Sequence, residues 1–315
     1  MMIESLLDDA PIIFPGTSRT SVTREEALEG SPEQKQHYFL DVKIEVDGFT
    51  QASKFVDALL DRGKRRLKPG GLWVIGEGGV GKSFILDDIY KRYPHLDTSI
   101  ARITPLICLS FRSRPSASDL LCTMLFQLGQ DPGLMKNKSN DDLEDSLIES
   151  LKSCGTLGIM FDEAHHLWLN SSGRIKDRVG GPIGDLLKRV YDRTNIAYIF
   201  SGTPGLMNAV FVDKQVSTRW SGVVALKEFE LDAKFYGLLN ALDSAIPLPK
   251  ESGLGQRRKL AESIYASTFG NFRLIKDLLG EAVFLAAKDN SPKLEADHLA
   301  ESHFRLFCDR ENPFV

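Results

Sequence analysis

The residues Gly76, Glu77, Gly78, Gly79, Val80, Gly81, Lys82 and Ser83 follow the spacing GxxxxGKS. Glycines let successive backbone N–H groups curl around phosphate oxygens, a lysine here reaches β- and γ-phosphates, and a serine hydroxyl can ligate magnesium. The pattern predicts a phosphate cradle from Gly76 to Phe84, with Lys82 on the phosphates and Ser83 on the metal. A second constellation is Asp162-Glu163, directly after the apolar run Leu157 to Phe161. A carboxylate at such a strand tip can hold the magnesium shell, and the next one can face the water that attacks the γ-phosphate. Two acids there could also cap a helix. Their interval from the glycine loop, room for a strand-helix-strand-helix passage, favours Asp162 for the metal and Glu163 for the water.

Two further positions depend on their surroundings. The run Asn195 to Phe200 ends in Ser201-Gly202-Thr203-Pro204, and a polar side chain at that tip can sense a γ-phosphate; Thr203 is preferred to Ser201, with an ordinary polar turn as the alternative. Arg219, beside Trp220, reads as a surface ion pair or stacking pair unless a neighbouring subunit's nucleotide lies against it, when it becomes an arginine finger in trans. His165 and His166 lack the HExxH spacing of a zinc site and read as supporting or packing residues. Asp162-Glu163-Ala164-His165 matches the DEAH string of helicases, but the chain has no room for their second RecA-like domain.

The elements that must position these residues are legible as apolar periodicity. Trp73-Val74-Ile75 predicts a strand into the glycine loop, and Phe84, Ile85, Ile89 and Tyr90 predict a helix out of it. Buried strands are expected at Ala101 to Ser110, Leu157 to Phe161 and Asn195 to Phe200. Helices are expected at Phe49 to Leu67, Ser116 to Leu128, Asp141 to Cys154 and Ile183 to Tyr191. From Phe229 the pattern turns helical, at Asp232 to Leu242, Gly255 to Phe269, Phe272 to Ala287 and Glu295 to Phe307. The resulting expectation is an α/β, three-layer αβα domain with a parallel sheet (41–228) and a small all-helical lid (229–302). An extension (1–40) precedes them and a C-terminal tail (303–315) follows, of which Asp309 to Val315 reads as short and flexible. In and near the extension, Asp9 to Phe14 and Tyr38 to Ile44 read as extended segments, and Asn170 to Pro182 reads as a mobile loop.

Composition sets outer limits. With 315 residues, 42% hydrophobic and 26% charged, the chain is an ordinary soluble one. A formal net charge of −4 disfavours wholesale nucleic-acid binding, so any DNA contact must come from local basic patches. The run Arg62 to Lys68 is one such patch, although a solvated helix end is its simpler reading. Four cysteines without a CxxC pair point to a reducing compartment. The absence of a signal-peptide pattern or a bilayer-length apolar run points to a cytoplasmic protein without a membrane partner.

Taken together, RRLKPGGLWVIGEGGVGKS, FDEAHHL, SGTPGL, STRW, the IPLP break and GNFRLIKDLLGEAV resemble the AAA+ ATPases, and more narrowly the TniB/TnsC-like transposition regulators, which are functionally akin to MuB. The likeness runs from about Ala52 to Ala300. It implies an AAA+ P-loop NTPase using ATP and Mg2+, with Lys82 and Ser83 on phosphate and metal, Asp162 supporting the metal and Glu163 activating water. Thr203 becomes sensor one, Arg219 the finger and Arg273 sensor two. Such proteins form ATP-bound homo-oligomers or helical filaments on double-stranded DNA, link a target-selection factor to the transposase, and disassemble on hydrolysis. Arg112, Arg114, Lys136 and Lys138 are the candidate phosphate contacts on DNA, without base specificity. The competing expectation is a protein-remodelling or secretion-associated AAA+ motor that does not touch DNA. Trp220 departs from the phenylalanine more usual in the family, and the resemblance leaves the first 40 residues unexplained.

Overall fold

The computed structural model describes residues 22–44, 46–98, 101–169 and 181–315; the segment Asp9 to Phe14 and most of the loop Asn170 to Pro182 lie outside them. Two compact units emerge. An αβα unit comprises Gly48–Gly78 and Lys82–Leu226, and a helical unit comprises the described residues up to Asp47 together with Gly79–Gly81 and Lys227–Val315.

In chain order the first elements are α1 (Arg24–Leu28), α2 (Pro32–Asp41), α3 (Asp47–Lys64), β1 (Gly71–Ile75), α4 (Lys82–Arg92), β2 (Leu96–Asp97), β3 (Arg102–Ile103) and β4 (Leu106–Ser110). Then come α5 (Ala117–Gln127), α6 (Pro132–Met135), α7 (Asn140–Ser153), β5 (Gly158–Asp162), α8 (Pro182–Thr194), β6 (Ala197–Gly202), α9 (Gly205–Val212), α10 (Lys214–Arg219) and β7 (Gly222–Ala225). Helices α11 (Ala233–Ala245), α12 (Arg258–Thr268), α13 (Phe272–Lys288) and α14 (Ala296–Phe307) complete the chain.

The αβα unit is built on a parallel five-stranded sheet in the order β4-β5-β6-β1-β7. β1, β5 and β6 are buried along their whole length, as strands covered on both faces must be. An aromatic stack crosses the sheet: Trp73 lies on Phe200 with ring centroids 4.2 Å apart, Phe200 on Phe161 at 5.1 Å, and Phe161 on Phe111 at 6.3 Å. Flanking helices follow local signals. Ser116 and Ser139 close capping boxes with Asp119 and Asp142, and α3 buries Phe49, Ala52, Val56, Leu59 and Leu60 on one face.

Two segments differ from their sequence reading. Ala101 to Ser110 is not one strand: Pro105 lacks the N–H a ladder needs, so Leu106 starts the sheet strand, while Arg102–Ile103 pairs antiparallel with Leu96–Asp97. Tyr38 to Asp41 is not extended but the last part of a helix, and only 42–44 lie outside it. A Ser31 capping box and Pro32 at the first helical position start α2, which carries Phe39, fully buried, into the core of the helical unit.

In that unit α2 lies on α13. Leu40 covers Gly280, where an added Cβ would come within 2.7 Å, and the Lys276 ammonium donates to the carbonyls of Phe39 and Val42. Arg24 donates to the carbonyls of Ile246 and Leu248 at 3.0 and 3.2 Å. Residues 22–44 are thus part of the helical unit's own packing. The tail is held too: Ser263 donates to the Pro313 carbonyl at 2.8 Å, and Asn312 to the Ala300 carbonyl at 2.9 Å. Among the described residues no helix is long and apolar enough to cross a membrane.

Candidate active site

Parallel register brings the C-terminal ends of three strands together. Ile75 is opposite Gly202 and Phe161 opposite Phe200, so the glycine loop, Asp162-Glu163 and Ser201 to Thr203 leave the sheet along one edge. The Gly76 N–H donates to the Gly202 carbonyl at 3.1 Å, fixing the start of the loop to β6.

The loop has the conformation its glycines permit. Gly79 and Gly81 have φ of +83° and +99°, the left-handed region where a side chain is strained. Beyond Gly78 a Cβ would meet nothing within 4 Å among the described residues. Lys82 and Ser83 open α4, whose first N–H groups and dipole favour an anion. The Lys82 ammonium is buried and donates to the carbonyls of Gly76 and Glu77 at 2.9 Å each. A buried cation held on the Gly76 and Glu77 carbonyls, at the N-terminus of α4, fits a polyphosphate.

Asp162 is buried at the tip of β5. Its Oδ1 accepts from the Ser201 hydroxyl and, at 3.0 Å, from the Glu163 N–H. Both donors converge on one oxygen and fix the carboxylate plane, which suits a group that orients a cation's hydration shell. Glu163 sits in the left-handed region at φ +50°, which turns the chain sharply after the strand. His165 Nδ1 approaches Glu163 Oε2 at 3.2 Å, outside hydrogen-bond alignment. Contact with His165 holds the Glu163 carboxyl below its usual range against the opposing effect of half-burial, and the charge of Lys82 adds to it. Glu163 is therefore kept as a carboxylate, the form that can accept a proton.

Of the strand-tip pair, Ser201 is buried against Asp162, while Thr203, half-buried, follows at the turn into α9. Spacing alone favours Thr203, and only the place of Ser201 on β6, beside the strand that carries Asp162, signals this bond. Arg219 belongs to the other end of the sheet. Its carbonyl lies 3.6 Å from the Cβ position of Gly70, and Gly222, three residues on, pairs with Leu72. β1 separates that end from the glycine loop by roughly 16 Å of strand rise. The guanidinium pairs with Asp192 at 3.0 Å and donates to the Gln215 carbonyl at 3.2 Å, the ion pair that was one of its sequence readings. Arg273 is exposed at the start of α13, and within the helical unit its N–H donates to the Gly79 carbonyl at 2.9 Å. Asn271 caps that helix.

The basic candidates fall in separate loops. Arg112 and Arg114 are exposed just beyond β4; Lys136 and Lys138 are exposed ahead of α7, with the Lys138 ammonium 3.3 Å from the Ser146 hydroxyl.

The family model described as Bacterial TniB protein matches residues 41–231. No curated protein matches the chain. Solved structures similar to it include the Aeropyrum pernix ORC1 protein in complex with DNA, 14% identical with a TM-score of 0.57, over 85% of this chain and 69% of that one. The Aeropyrum pernix ORC2 protein in its ADPNP-ADP complexes is 14% identical with a TM-score of 0.60, over 87% and 72%. The Thermotoga maritima RuvB Holliday junction branch migration motor is 14% identical with a TM-score of 0.51, over 88% and 76%. At such identity the likeness is one of fold, that of the AAA+ P-loop ATPases.

Proposed function

The chain belongs to the bacterial TniB protein family and is an AAA+ ATPase, and we propose that it is an ATP-dependent regulator of DNA transposition. In this reading it assembles as a homo-oligomer on double-stranded DNA, connects a target-selection factor to the transposase, and leaves the DNA when ATP is hydrolysed. The observation that carries the reading is the position of Arg219. It stands at the end of the sheet opposite its own glycine loop, so its use as a finger requires a second copy. Nucleotide then becomes an interface ligand, and its loss removes contacts that hold the assembly.

The residues present would divide the work as follows. Gly76 to Phe84 would hold the triphosphate of ATP, with Lys82 on its β- and γ-phosphates. Ser83 would ligate Mg2+ and Asp162 would orient it through water. Bound magnesium supplies charge neutralisation on the phosphates. Glu163 accepts the proton of the attacking water, Thr203 senses the γ-phosphate as sensor one, and Arg273 acts as sensor two. DNA contact would fall to Arg112, Arg114, Lys136 and Lys138 through phosphates, and the fold's occurrence in an ORC1 protein solved with DNA is compatible with it.

The test is turnover per subunit against protein concentration, with and without duplex DNA. A composite site predicts turnover that rises with concentration, and DNA binding that needs ATP and weakens steeply with salt. Glu163→Gln should bind ATP without hydrolysing it and prolong the assembly on DNA, while Lys82→Ala should lose binding. Concentration-independent turnover together with no ATP-dependent DNA binding would overturn the reading.

A further inference from the structure

The end of the sheet that carries Arg219 carries a second cation. Lys68 lies just before β1, in a short segment pinned from both sides. Arg62 donates to the Lys68 carbonyl through Nε and Nη2 at 3.3 and 3.0 Å, and the Gly70 N–H donates to the Tyr191 hydroxyl at 3.1 Å. Gly70, at φ +91°, makes the turn into the strand. The Lys68 ammonium is 5.9 Å from the centre of the Tyr191 ring and 3.4 Å from Asp192 Oδ1. Asp192 also receives Arg219, with Nη2 at 3.0 Å from Oδ2 and Nε at 3.4 Å from Oδ1. One carboxylate therefore sits between a guanidinium fork and an ammonium, and the Nη2/Nε edge that could fork onto a phosphate is the edge it covers.

We propose that Lys68 acts beside Arg219 as a second cation offered in trans to the triphosphate held by a neighbouring copy, and that Asp192 fills this two-cation clamp in the single chain. The inference rests on the reading of Arg219 as a finger in trans. Its chemistry is that of anion exchange. A half-exposed ion pair contributes little, so a carboxylate bearing one charge yields to a polyphosphate bearing several. Arginine supplies the planar fork and lysine a compact charge beside it. The arrangement also gives the basic run Arg62 to Lys68 a local role: Arg62 holds the backbone from which Lys68 projects.

The experiment mixes full-length variants. Lys68→Gln alone should lower ATP turnover per subunit, on the order of tenfold or more as for loss of one group stabilising developing charge, while Lys68→Arg retains most of it. Adding excess Lys82→Ala subunits, which do not hold ATP but keep Lys68 and Arg219, should restore turnover in the Lys68→Gln subunits. A folding defect in Lys68→Gln would not be repaired in this way. The parallel mixture of Arg219→Ala with Lys82→Ala tests the composite site itself. If that control recovers activity and the Lys68→Gln mixture does not, the second cation is excluded and the composite site stands. If the control fails to recover, the composite reading falls and this inference with it.

Discussion

The indole N–H of Trp73 donates to the backbone carbonyl of Trp220 at 2.7 Å inside the core. The bond ties the strand that launches the glycine loop to the residue that follows Arg219, so the two half-sites that one copy would offer to its two neighbours share one link. Trp73→Phe keeps a ring against Phe200 but leaves the Trp220 carbonyl without its donor. Urea unfolding should show a loss of about 1–3 kcal/mol. Trp220→Phe differs, because the Trp220 indole N–H has no partner among the described residues. Removing that buried donor offsets part of the lost ring, and the change should stay under about 1.5 kcal/mol. Equal losses in the two variants would show that the bond contributes nothing.

Ser201 and Thr203 should fail in different ways. Ser201→Ala removes one of the two donors on Asp162 Oδ1, so the carboxylate is less well oriented. The Mg2+ concentration for half-maximal ATPase should rise about tenfold or more, with turnover at saturating Mg2+ little changed. Thr203→Ala should lower turnover while ATP binding persists. The opposite assignment of effects in a magnesium titration would make Ser201 the sensor.

This pair shows where sequence reading reaches its limit. Gly76 to Ser83 and Asp162-Glu163 were legible because each motif is contiguous and follows a strand whose apolar run is visible. The choice between Ser201 and Thr203 depended on which side chain faces a different strand, which spacing alone does not state. The same holds for Asp192 with Arg219, and for Trp73 with Trp220, whose partners are distant in sequence. α2 was misread for another reason. Tyr38 to Ile44 is rich in apolar and β-branched residues and resembles a strand, yet the Ser31 capping box and Pro32 start a helix that runs to Asp41 and puts Phe39 in the core of the helical unit, and the β-branched Val42 and Ile44 follow its end. β7 escaped notice because an edge strand of this length, alternating buried and exposed, gives little pattern.

Asp192→Asn should act opposite to loss of the cations. Asparagine keeps the shape but not the charge that retains Arg219 and Lys68, so both are released to a neighbour more readily. The protein concentration at half-maximal ATPase should fall by about two- to fivefold, the range of a half-exposed ion pair. A rise in that concentration, measured by the same titration, would mean that Asp192 orients Arg219 for its task.

Lys276 offers a test of how residues 22–44 are bound into the helical unit. It is almost fully buried against α2, donating to the Phe39 and Val42 carbonyls, and burial lowers its pKa from 10.5 to about 8. The sign follows from proton counts. Between those values the unfolded chain still holds a proton that the folded chain has released, so stability from this group increases as pH rises. Below about pH 8 both states are charged, and the cost of burying the ammonium is fully present. Lys276→Met has no titrating group there. Wild type should therefore gain about 2–3 kcal/mol relative to Lys276→Met between pH 7 and pH 10, read from urea midpoints of the transition that includes the helical unit. Parallel pH curves for the two proteins would mean that the amine is solvated in the folded state and that the contact of α2 with α13 is looser than these hydrogen bonds require.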